Sequence, residues 1–390
     1  MTAIFLTAIA IAFVKRSASY RTLLRAPLPL LLIVCALVPS ARAEHLFVVT
    51  KASDTVAVID SSIDEVIKQI PVGSYPVRIC ISPDLRKAYV SNEDDNTVSV
   101  IDTVALAPIG TPIPVGPAPH ESAVTPDGGR LFLVHENADF VTVIDTATNT
   151  VITENIVIGG NLAKDILFSL NGRFAYVANY SAGTVNIINT ATTGPNSYRV
   201  RTIPTGAGAR RLAISPAGDR VFVTNYLDNS VSVIDTRKQT LITTIPVGVN
   251  PRGIAITPSG DSIYVTNVGD GTVSIINCAT LTVTNTLKVG ANPWQIIITK
   301  DGTRAFVSNS NSASVSVIDT ASQQVIQTLS TDPGPFFSAI NSQGNKLYVS
   351  NSMYTTVAVI DIPSLTVLKE IQGVGSGCPD GGPFDNVFGL

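Results

Sequence analysis

A six-residue pattern of alternating small polar and β-branched residues recurs along the chain, and it constrains the fold more than any other feature. Its clearest copy is Thr97-Val-Ser-Val-Ile-Asp102. The copies end at Asp60, Asp102, Asp145, Asn189, Asp235, Asn277, Asp319 and Asp361. Self-similarity at a spacing of 42 to 46 residues indicates a repeat architecture rather than a series of unrelated domains.

A second apolar piece, which ends in Asn, precedes most copies of the first. Its copies are Tyr89-Val-Ser-Asn92, Tyr176-Val-Ala-Asn179, Phe222-Val-Thr-Asn225, Tyr264-Val-Thr-Asn267, Phe306-Val-Ser-Asn309 and Tyr348-Val-Ser-Asn351. A turn such as Thr125-Pro-Asp-Gly128 comes before it, and units close on a segment such as Ile245-Pro-Val-Gly248. Each unit therefore holds four short β-branched runs separated by turn residues, at about ten residues per strand plus turn.

Four-stranded units with two apolar faces predict an all-β fold. A single such sheet cannot bury both faces, but radially stacked sheets cover each other, and a closed ring leaves no face open. Proline inside a run, as at Pro112 and Pro114, occurs only in the fourth strand. That position suits the outer edge, where a residue need not donate to a ladder. The sequence thus predicts a β-propeller with repeats of about 42 residues.

The paired motifs resemble those of the YVTN family of β-propeller repeats. The best example is Ile263-Tyr-Val-Thr-Asn267 followed by Thr272-Val-Ser-Ile-Ile-Asn277, and the resemblance extends over residues 45–390. It implies a propeller fold and an exported protein, as in surface-layer and periplasmic propellers. It implies no single activity, because one fold hosts many functions.

The two ends of the repeat region predict the number of blades. Residues 45–73 supply strands two, three and four of a unit but lack the first, whereas the chain ends in the proline-led segment 383–390. Joining the two makes one composite blade, which together with seven complete units gives eight. Seven blades with a detached N-terminal hairpin is the alternative, and it would leave a sheet edge open.

The N-terminus has the order of a secretory signal peptide. Basic residues between Lys15 and Arg25 precede the apolar run 28–38, and the small-residue site Ala41-Arg-Ala43 follows. We therefore expect residues 1–43 to be removed and residues 44–390 to form one propeller domain without a transmembrane segment. The expected location is the periplasm, the exterior or the cell surface. Cys80, Cys278 and Cys378 remain after cleavage, an odd and widely spaced set that is no disulfide framework.

The charge balance argues against nucleic-acid binding. The whole chain carries 26 Lys and Arg against 29 Asp and Glu, and the first 43 residues hold five of the basic residues and no acid. The body from residue 44 onward therefore has a formal charge of 21 − 29 = −8. A field of this sign repels phosphate backbones.

The candidate ligand site is a set of residue pairs that vary between repeats. They lie where each inner strand begins, on the loops expected to surround the central channel: Val77-Arg78, His120-Glu121, Lys164-Asp165, Arg210-Arg211, Arg252-Gly253, Trp294-Gln295 and Phe336-Phe337. Five are basic in an acidic protein. Solvated loop residues are one interpretation. The other is a funnel for an anionic or polar ligand, held by Arg78, Lys164, Arg210, Arg211 and Arg252 against an apolar wall of Trp294 and Phe336.

A second candidate site contains two of the three histidines. His135 stands where other units carry Asn, and a two-residue hairpin at Asp127-Gly128 would place His120 opposite it. With Glu121 and Glu136, the two imidazoles form a candidate divalent-metal site. In the alternative interpretation, His135 replaces the Asn of the other units and His120 is a side chain of the rim.

Two classes of function remain open. The first is a non-catalytic binding propeller, expected to be a monomer, that holds a protein or a small anionic ligand at the channel mouth. It is favoured by the uniform repeats and by the lack of a nucleophile elbow or phosphate loop. The second is a channel-mouth enzyme resembling lactonases, or a carrier resembling the eight-bladed haem d1 propellers. A basic rim suits the carboxylates of either ligand.

Overall fold

Eight antiparallel sheets, the blades, make up the computed structural model, which describes residues 44–191, 197–375 and 386–389. The predicted signal peptide and Cys378 lie outside these residues. Blade 1 contains β1 (His45–Thr50), β2 (Thr55–Asp60) and β3 (Glu65–Pro71) together with the last strand of the chain, β33 (Asn386–Gly389). Blade 2 contains β4 (Pro76–Ile81), β5 (Lys87–Asn92) and β6 (Thr97–Asp102), with an outer edge in two pieces, β7 (Ala107–Pro108) and β8 (Ile113–Pro114).

The other six blades run from the inner to the outer strand in chain order. Blade 3 is β9 (Pro119–Val124), β10 (Arg130–His135), β11 (Phe140–Asp145) and β12 (Thr150–Val157). Blade 4 is β13 (Ala163–Phe168), β14 (Phe174–Asn179), β15 (Thr184–Asn189) and β16 (Val200–Pro204). Blade 5 is β17 (Ala209–Ile214), β18 (Arg220–Asn225), β19 (Ser230–Asp235) and β20 (Thr240–Pro246).

Blade 6 is β21 (Pro251–Ile256), β22 (Ser262–Asn267), β23 (Thr272–Asn277) and β24 (Thr282–Lys288). Blade 7 is β25 (Pro293–Ile298), β26 (Arg304–Asn309), β27 (Ser314–Asp319) and β28 (Gln324–Ser330). Blade 8 is β29 (Pro335–Ile340), β30 (Lys346–Asn351), β31 (Thr356–Asp361) and β32 (Thr366–Ile371). Short 3₁₀ turns occur at Lys51–Ser53 and Ser310–Ser312, and the described residues contain no helix with the length and apolar character needed to cross a bilayer.

The core lies between the blades. The second strand of each blade carries one large aromatic residue at its centre, and all eight are fully buried: Phe47, Tyr89, Phe132, Tyr176, Phe222, Tyr264, Phe306 and Tyr348. β-branched residues of the neighbouring blades pack around them, so both faces of the second and third strands are buried.

The composite blade closes the ring. β33 pairs with β1 in antiparallel register, from Val48 opposite Asn386 to His45 opposite Gly389. It also packs beside β29 of blade 8 and β4 of blade 2, so the inner strands form an unbroken circle. The eight-blade prediction is confirmed, and the seven-blade alternative is wrong because the C-terminal strand covers the edge that it would leave open.

Basic residues at the start of the second strand connect several neighbouring blades. Each donates to a backbone carbonyl of the following blade: Lys87 to Thr146, Arg130 to Thr190, Arg220 to Cys278 and Lys346 to Ser61. At the closing seam, Tyr348 adds a hydrogen bond of 2.6 Å from its hydroxyl to Oδ1 of Asp64. We call these contacts the cross-blade staples.

Candidate ligand site at the channel mouth

A β-bulge near the start of the inner strand recurs in blades 2 to 8. In blade 2, Pro76 pairs with Asn92 but Arg78 pairs with Ser91, so two residues of β4 oppose one residue of β5. The same shift occurs in the other six blades. The residue pairs singled out in the sequence occupy these bulges. Because a bulge re-aims the side chains it carries, blades 2 to 8 each place one or both residues of the pair at the channel mouth.

Two adjoining cavities occupy the channel mouth. The first, of about 310 Å³, is lined by Lys51, Tyr75, Arg78, Glu93, His120, Glu136, Lys164, Arg210, Arg211, Arg252 and Trp294. The second, of about 240 Å³, is lined by Glu121, Asp165, Arg211, Leu212, Arg252, Gly253, Ile254, Trp294, Gln295, Ile296 and Phe337. Arg211, Arg252 and Trp294 belong to both linings. The structure therefore brings all five predicted basic residues and Trp294 together.

Glu121 is the centre of an ion-pair network that crosses the mouth. Its Oε2 accepts from Nε of Arg78 at 3.0 Å and from an Nη of Arg211 at 2.9 Å. The same Arg211 nitrogen lies 3.6 Å from Oδ1 of Asp165. Burial alone would raise the pKa of Glu121, but Arg78 and Arg211 together lower it. Glu121 is therefore ionised and compensates part of the charge of both arginines.

In Asp165, the effect of burial on the pKa outweighs that of the neighbouring arginine. Burial raises its pKa to about 7, because Arg211 offsets the loss of hydration only in part and the nearby charge of Glu121 adds to the rise. Its oxygens accept from the backbone N–H groups of Ile166 at 3.0 Å and Leu212 at 2.7 Å. Asp165 is thus a fixed carboxyl group that titrates near neutral pH beside a guanidinium.

Glu136 forms the second acidic centre. Its Oε1 accepts from Nζ of Lys164 and lies 3.1 Å from Nε2 of His120. Burial lowers the pKa of His120 well below its usual value, and the neighbouring cations Arg78, Lys164 and Arg211 add to the shift. His120 is therefore neutral at pH 7, and its Nε2–H donates to Glu136.

Arg210 and Arg252 lack a carboxylate partner among the described residues. The guanidinium of Arg210 stands over the rings of Tyr180 and Tyr226, at 5.8 and 5.2 Å, and that of Arg252 lies 3.0 Å from the ring centroid of Trp294. Burial lowers the pKa of Arg210 to about 10, with Arg211 adding to the shift. Burial followed by repulsion from Arg210, Arg211 and Arg78 lowers that of Arg252 well below its usual value. Both guanidinium groups therefore carry a positive charge that no carboxylate of the described residues neutralises.

Trp294 and Phe336 were expected to form the apolar wall, but Phe337 takes the place of Phe336. Trp294 lines both cavities, but Phe336 stands behind it, with the two ring centroids 4.1 Å apart. Phe337, the second residue of the same bulge, lines the smaller cavity and stacks under Arg78 at 5.0 Å. Sequence reasoning could not decide which residue of the pair faces the channel, because a bulge breaks the alternation of a regular strand.

Several lining residues were missed in the sequence. Lys51 and Glu93 line the larger cavity, and the rings of Tyr180 and Tyr226 lie against the guanidinium of Arg210. Glu136, which the sequence suggested only as a metal ligand, also lines the larger cavity. All five directly follow the last residue of a second strand, the position of the recurring Asn. The residue that directly follows the position of the recurring Asn in each repeat would therefore have identified them from the sequence.

The expected facing of His120 and His135 is wrong. The predicted register holds from Leu131 opposite Val124 to Leu133 opposite Ser122, but the bulge then places His135 opposite Pro119. Nε2 of His135 lies 2.8 Å from the hydroxyl of Thr142, and Nδ1 lies 2.8 Å from the carbonyl oxygen of Pro117. This is how Asn acts in other blades, where, for example, Nδ2 of Asn92 donates to Ser99 at 2.9 Å.

The four candidate metal ligands consequently do not converge on one point, although His120 and Glu136 contact each other. Glu121 is held by arginines, Glu136 by Lys164 and His120, and His135 by the strand next to it. Across the described part of the chain, no three His, Cys, Asp or Glu side chains stand close enough to hold a metal ion.

Comparison with known proteins gives one family and several similar structures. The model of the family described as "Lactonase, 7-bladed beta-propeller" matches residues 111–282 and 196–329, which together exceed half of the chain. No curated protein matches. Among solved structures, Kuenenia stuttgartiensis hydrazine synthase is 24% identical with a TM-score of 0.59, covering 73% of this chain and 95% of that one.

Two further structures are similar. Dihydro-heme d1 dehydrogenase NirN, in complex with DHE, is 16% identical with a TM-score of 0.71, covering 86% of this chain and 74% of that one. A functionally unknown protein from Desulfotomaculum acetoxidans DSM 771 is 19% identical with a TM-score of 0.60, covering 86% of this chain and 98% of that one. At these identities the likeness extends to the fold alone.

Proposed function

Because this chain belongs to the lactonase seven-bladed β-propeller family, and in eight-bladed form, we propose that its channel mouth is a binding site for a small anionic ligand. The blade number differs from the family's description, so the whole ring cannot be superposed on a seven-bladed relative. The proposal therefore depends on this chain's own side chains at the mouth.

The observation that carries the proposal is the charge imbalance of the buried arginines. Arg78, Arg210, Arg211 and Arg252 repel one another, and no carboxylate among the described residues forms an ion pair with Arg210 or Arg252. Arg252 is 5% exposed. A buried cation without a partner is costly, and an incoming carboxylate that accepts two parallel hydrogen bonds from a guanidinium removes that cost.

The proposed ligand also has an uncharged part. Trp294 and Phe337 give the smaller cavity an apolar wall, and Gln295 offers a polar side chain beside it. Cavities of about 240 and 310 Å³ suit a molecule smaller than a typical drug. A hydroxy acid or sugar acid matches this combination of one or two carboxylates and a short polar body.

Calorimetric titration with gluconate and citrate tests the binding site. Wild-type protein should bind at least one of these anions, and Arg210→Gln with Arg252→Gln should remove the binding. Arg304→Gln, on the opposite side of blade 7, is the control, because Arg304 pairs with Asp319 away from the mouth. Equal heats in wild type and the double variant would contradict the proposal.

Lactone hydrolysis is a second candidate, favoured by Asp165. A carboxylate with a pKa of about 7 that borders the cavity can take a proton from water as the oxygen attacks the lactone carbonyl. Arg211 and Arg252 would then stabilise the negative charge that develops on the carbonyl oxygen. Collapse of this intermediate would break the ring C–O bond, and the protonated Asp165 would return its proton to the leaving alkoxide oxygen, which gives the hydroxy acid. Hydrolysis of glucono-δ-lactone by wild type but not by Asp165→Asn would support this function over binding alone.

The haem d1 carrier alternative does not fit the residues present. The Arg78–Glu121–Arg211 network joins blades 2, 3 and 5 across the mouth, where a flat macrocycle would have to lie. His120 and His135 are both engaged with protein groups, and His45 is not among the residues that line the two cavities of the mouth. The residues of the mouth therefore do not fit a tetrapyrrole. A visible absorption band in protein purified from its native host would contradict this conclusion.

We further propose that the protein is exported and acts as a monomer in the periplasm or at the cell surface. Support comes from the order of basic, apolar and small residues in segment 1–43. N-terminal sequencing of protein from the native host should begin at Glu44. A sequence that begins at Met1 would contradict export by this signal.

A further inference from the structure

The outer strand of blade 4 is unlike the other outer strands. Outer strands are open sheet edges, which proteins protect with bulges, breaks or charges. Six blades carry a bulge there, whose extra residue is Ile67, Ile152, Ile242, Thr284, Ile326 or Leu368. Blade 2 has its outer edge broken into two pieces. β16 alone pairs regularly along its length, from Thr184 opposite Pro204 to Ile188 opposite Val200.

The backbone groups on the open side of β16 can be assigned from the ladder. Asn189 N donates to Arg199 O at 2.9 Å, and Thr205 N donates to Gly183 O at 3.0 Å, so odd-numbered residues of this strand face β15. In an antiparallel pair the alternate residues point the other way. The N–H and C=O groups of Val200 and Thr202 therefore point away from the sheet, and none of the described strands pairs with that side.

A basic groove runs alongside this edge. Two cavities of about 460 and 500 Å³ adjoin at Phe174 and Gln239, between blades 4 and 5. Arginines line both of them: Arg173 and Arg237 in the first, Arg199 and Arg201 in the second. No carboxylate among the described residues lines either cavity. In a body of charge −8, this groove is a local exception with one sign of charge.

Phe174 lines this groove from a position at which four other blades carry a cross-blade staple. Blades 2, 3, 5 and 8 begin their second strand with a basic residue that reaches the next blade. At the same position blade 4 has Phe174, which lines both cavities instead of closing them.

We propose that β16 accepts an extended acidic segment of a partner protein as a fifth strand of blade 4. The outward groups of Val200 and Thr202 would form the main-chain ladder, and alternate acidic side chains would lie against Arg199 and Arg201. A second copy of this chain is disfavoured as the occupant, because pairing two β16 edges would bring arginines against arginines. This surface lies on the circumference and is separate from the channel mouth.

Fluorescence anisotropy with a labelled eight-residue peptide of alternating Glu and Val tests the proposal. The wild-type protein should bind it, and the double change Arg199→Glu and Arg201→Glu should weaken binding by about tenfold or more. That variant should instead gain affinity for the matching Lys and Val peptide. Thr202→Pro should also weaken binding, since proline removes one outward N–H. Lys68→Glu is the matched control, because Lys68 holds the position of Arg201 on the bulged strand β3.

Backbone pairing is separated from charge attraction by a peptide N-methylated at alternate residues. It should bind more weakly than the parent peptide when the methyl groups face β16. Equal affinity of the methylated and parent peptides, or no binding of the parent peptide to wild type, would overturn the proposal. So would a dimer in sedimentation equilibrium that is abolished by Thr202→Pro, because the occupant would then be a second copy.

Discussion

At the scale of the residue, His135 shows how one side chain can replace another within a repeated framework. Its ring reaches Thr142 and the Pro117 carbonyl and packs on Phe140 with centroids 4.8 Å apart. Burial lowers its pKa to about 4. We expect His135→Asn to leave the free energy of unfolding at pH 7 within about 1 kcal/mol of wild type, because Asn makes the equivalent bond elsewhere. His135→Ala should cost about 1–3 kcal/mol, since it leaves two buried groups unpaired.

The pH dependence of stability follows from the same shift. The unfolded state, with a His pKa of about 6.5, binds protons before the folded state does, so His135 reduces stability as pH falls from 6.5 toward 4. At pH 5 the loss is about 2 kcal/mol. Urea unfolding at pH 7 and pH 5 should therefore show a smaller pH effect in His135→Asn than in wild type. An identical difference in both proteins would mean that His135 does not titrate as its burial implies.

A second prediction at the scale of the residue concerns Gly253. A Cβ there would stand 2.9 Å from the Trp294 carbonyl oxygen and 3.0 Å from Oγ1 of Thr266, so the glycine permits the close approach of blades 6 and 7. Gly253→Ala should lower the free energy of unfolding by about 1–3 kcal/mol. Gly129→Ala is the control, because a Cβ at Gly129 comes no closer than 3.5 Å to any neighbour. Equal stability of the two variants in urea would contradict this account.

At the scale of the element, the seams between blades differ in how they are held. Tyr348 donates to Asp64 at 2.6 Å across the closing seam, whereas Tyr264 reaches the Thr320 carbonyl at 3.4 Å. We expect Tyr348→Phe to destabilise the protein by about 1–3 kcal/mol, because it leaves the half-buried carboxylate of Asp64 short of one donor. Tyr264→Phe, the matched control, should change the melting temperature little. Calorimetry on both variants distinguishes this outcome from a general effect of removing a tyrosine hydroxyl.

The elements also mark where sequence reasoning succeeds and where it stops. The Asp or Asn that ends the third strand of every blade accepts hydrogen bonds from the backbone of the turn after it, as Asp102 does from Val104 and Ala105, so counting these residues predicted the strands and the blades. The bulges were not predicted, because register counted from a hairpin assumes an uninterrupted ladder, and this error placed His120 opposite His135. The ion pairs were not predictable either. Glu121 and Arg211 lie 90 residues apart and meet only because the ring brings blades 3 and 5 to one channel.

At the scale of the whole molecule, the ring depends on its C-terminal strand. Deleting residues 380–390 removes β33 and exposes the inner edge of β1, so we expect the free energy of unfolding to fall by several kcal/mol. A synthetic peptide of residues 380–390 should restore part of the melting temperature in a concentration-dependent way, since it binds only the folded ring. An unchanged melting temperature after truncation would contradict the role of the composite blade.

The pairing of β1 with β33 also sets the order of assembly. His45 and Gly389 are partners, so the contact with the greatest sequence separation within blade 1 joins the first of the described strands to the last of them. Contacts between distant segments are slow to form because a long loop must close first. Until residues Asn386–Gly389 have been synthesised, blade 1 has three strands and an unpaired inner edge. Blade 1 is therefore the first blade to be made and the last to be completed.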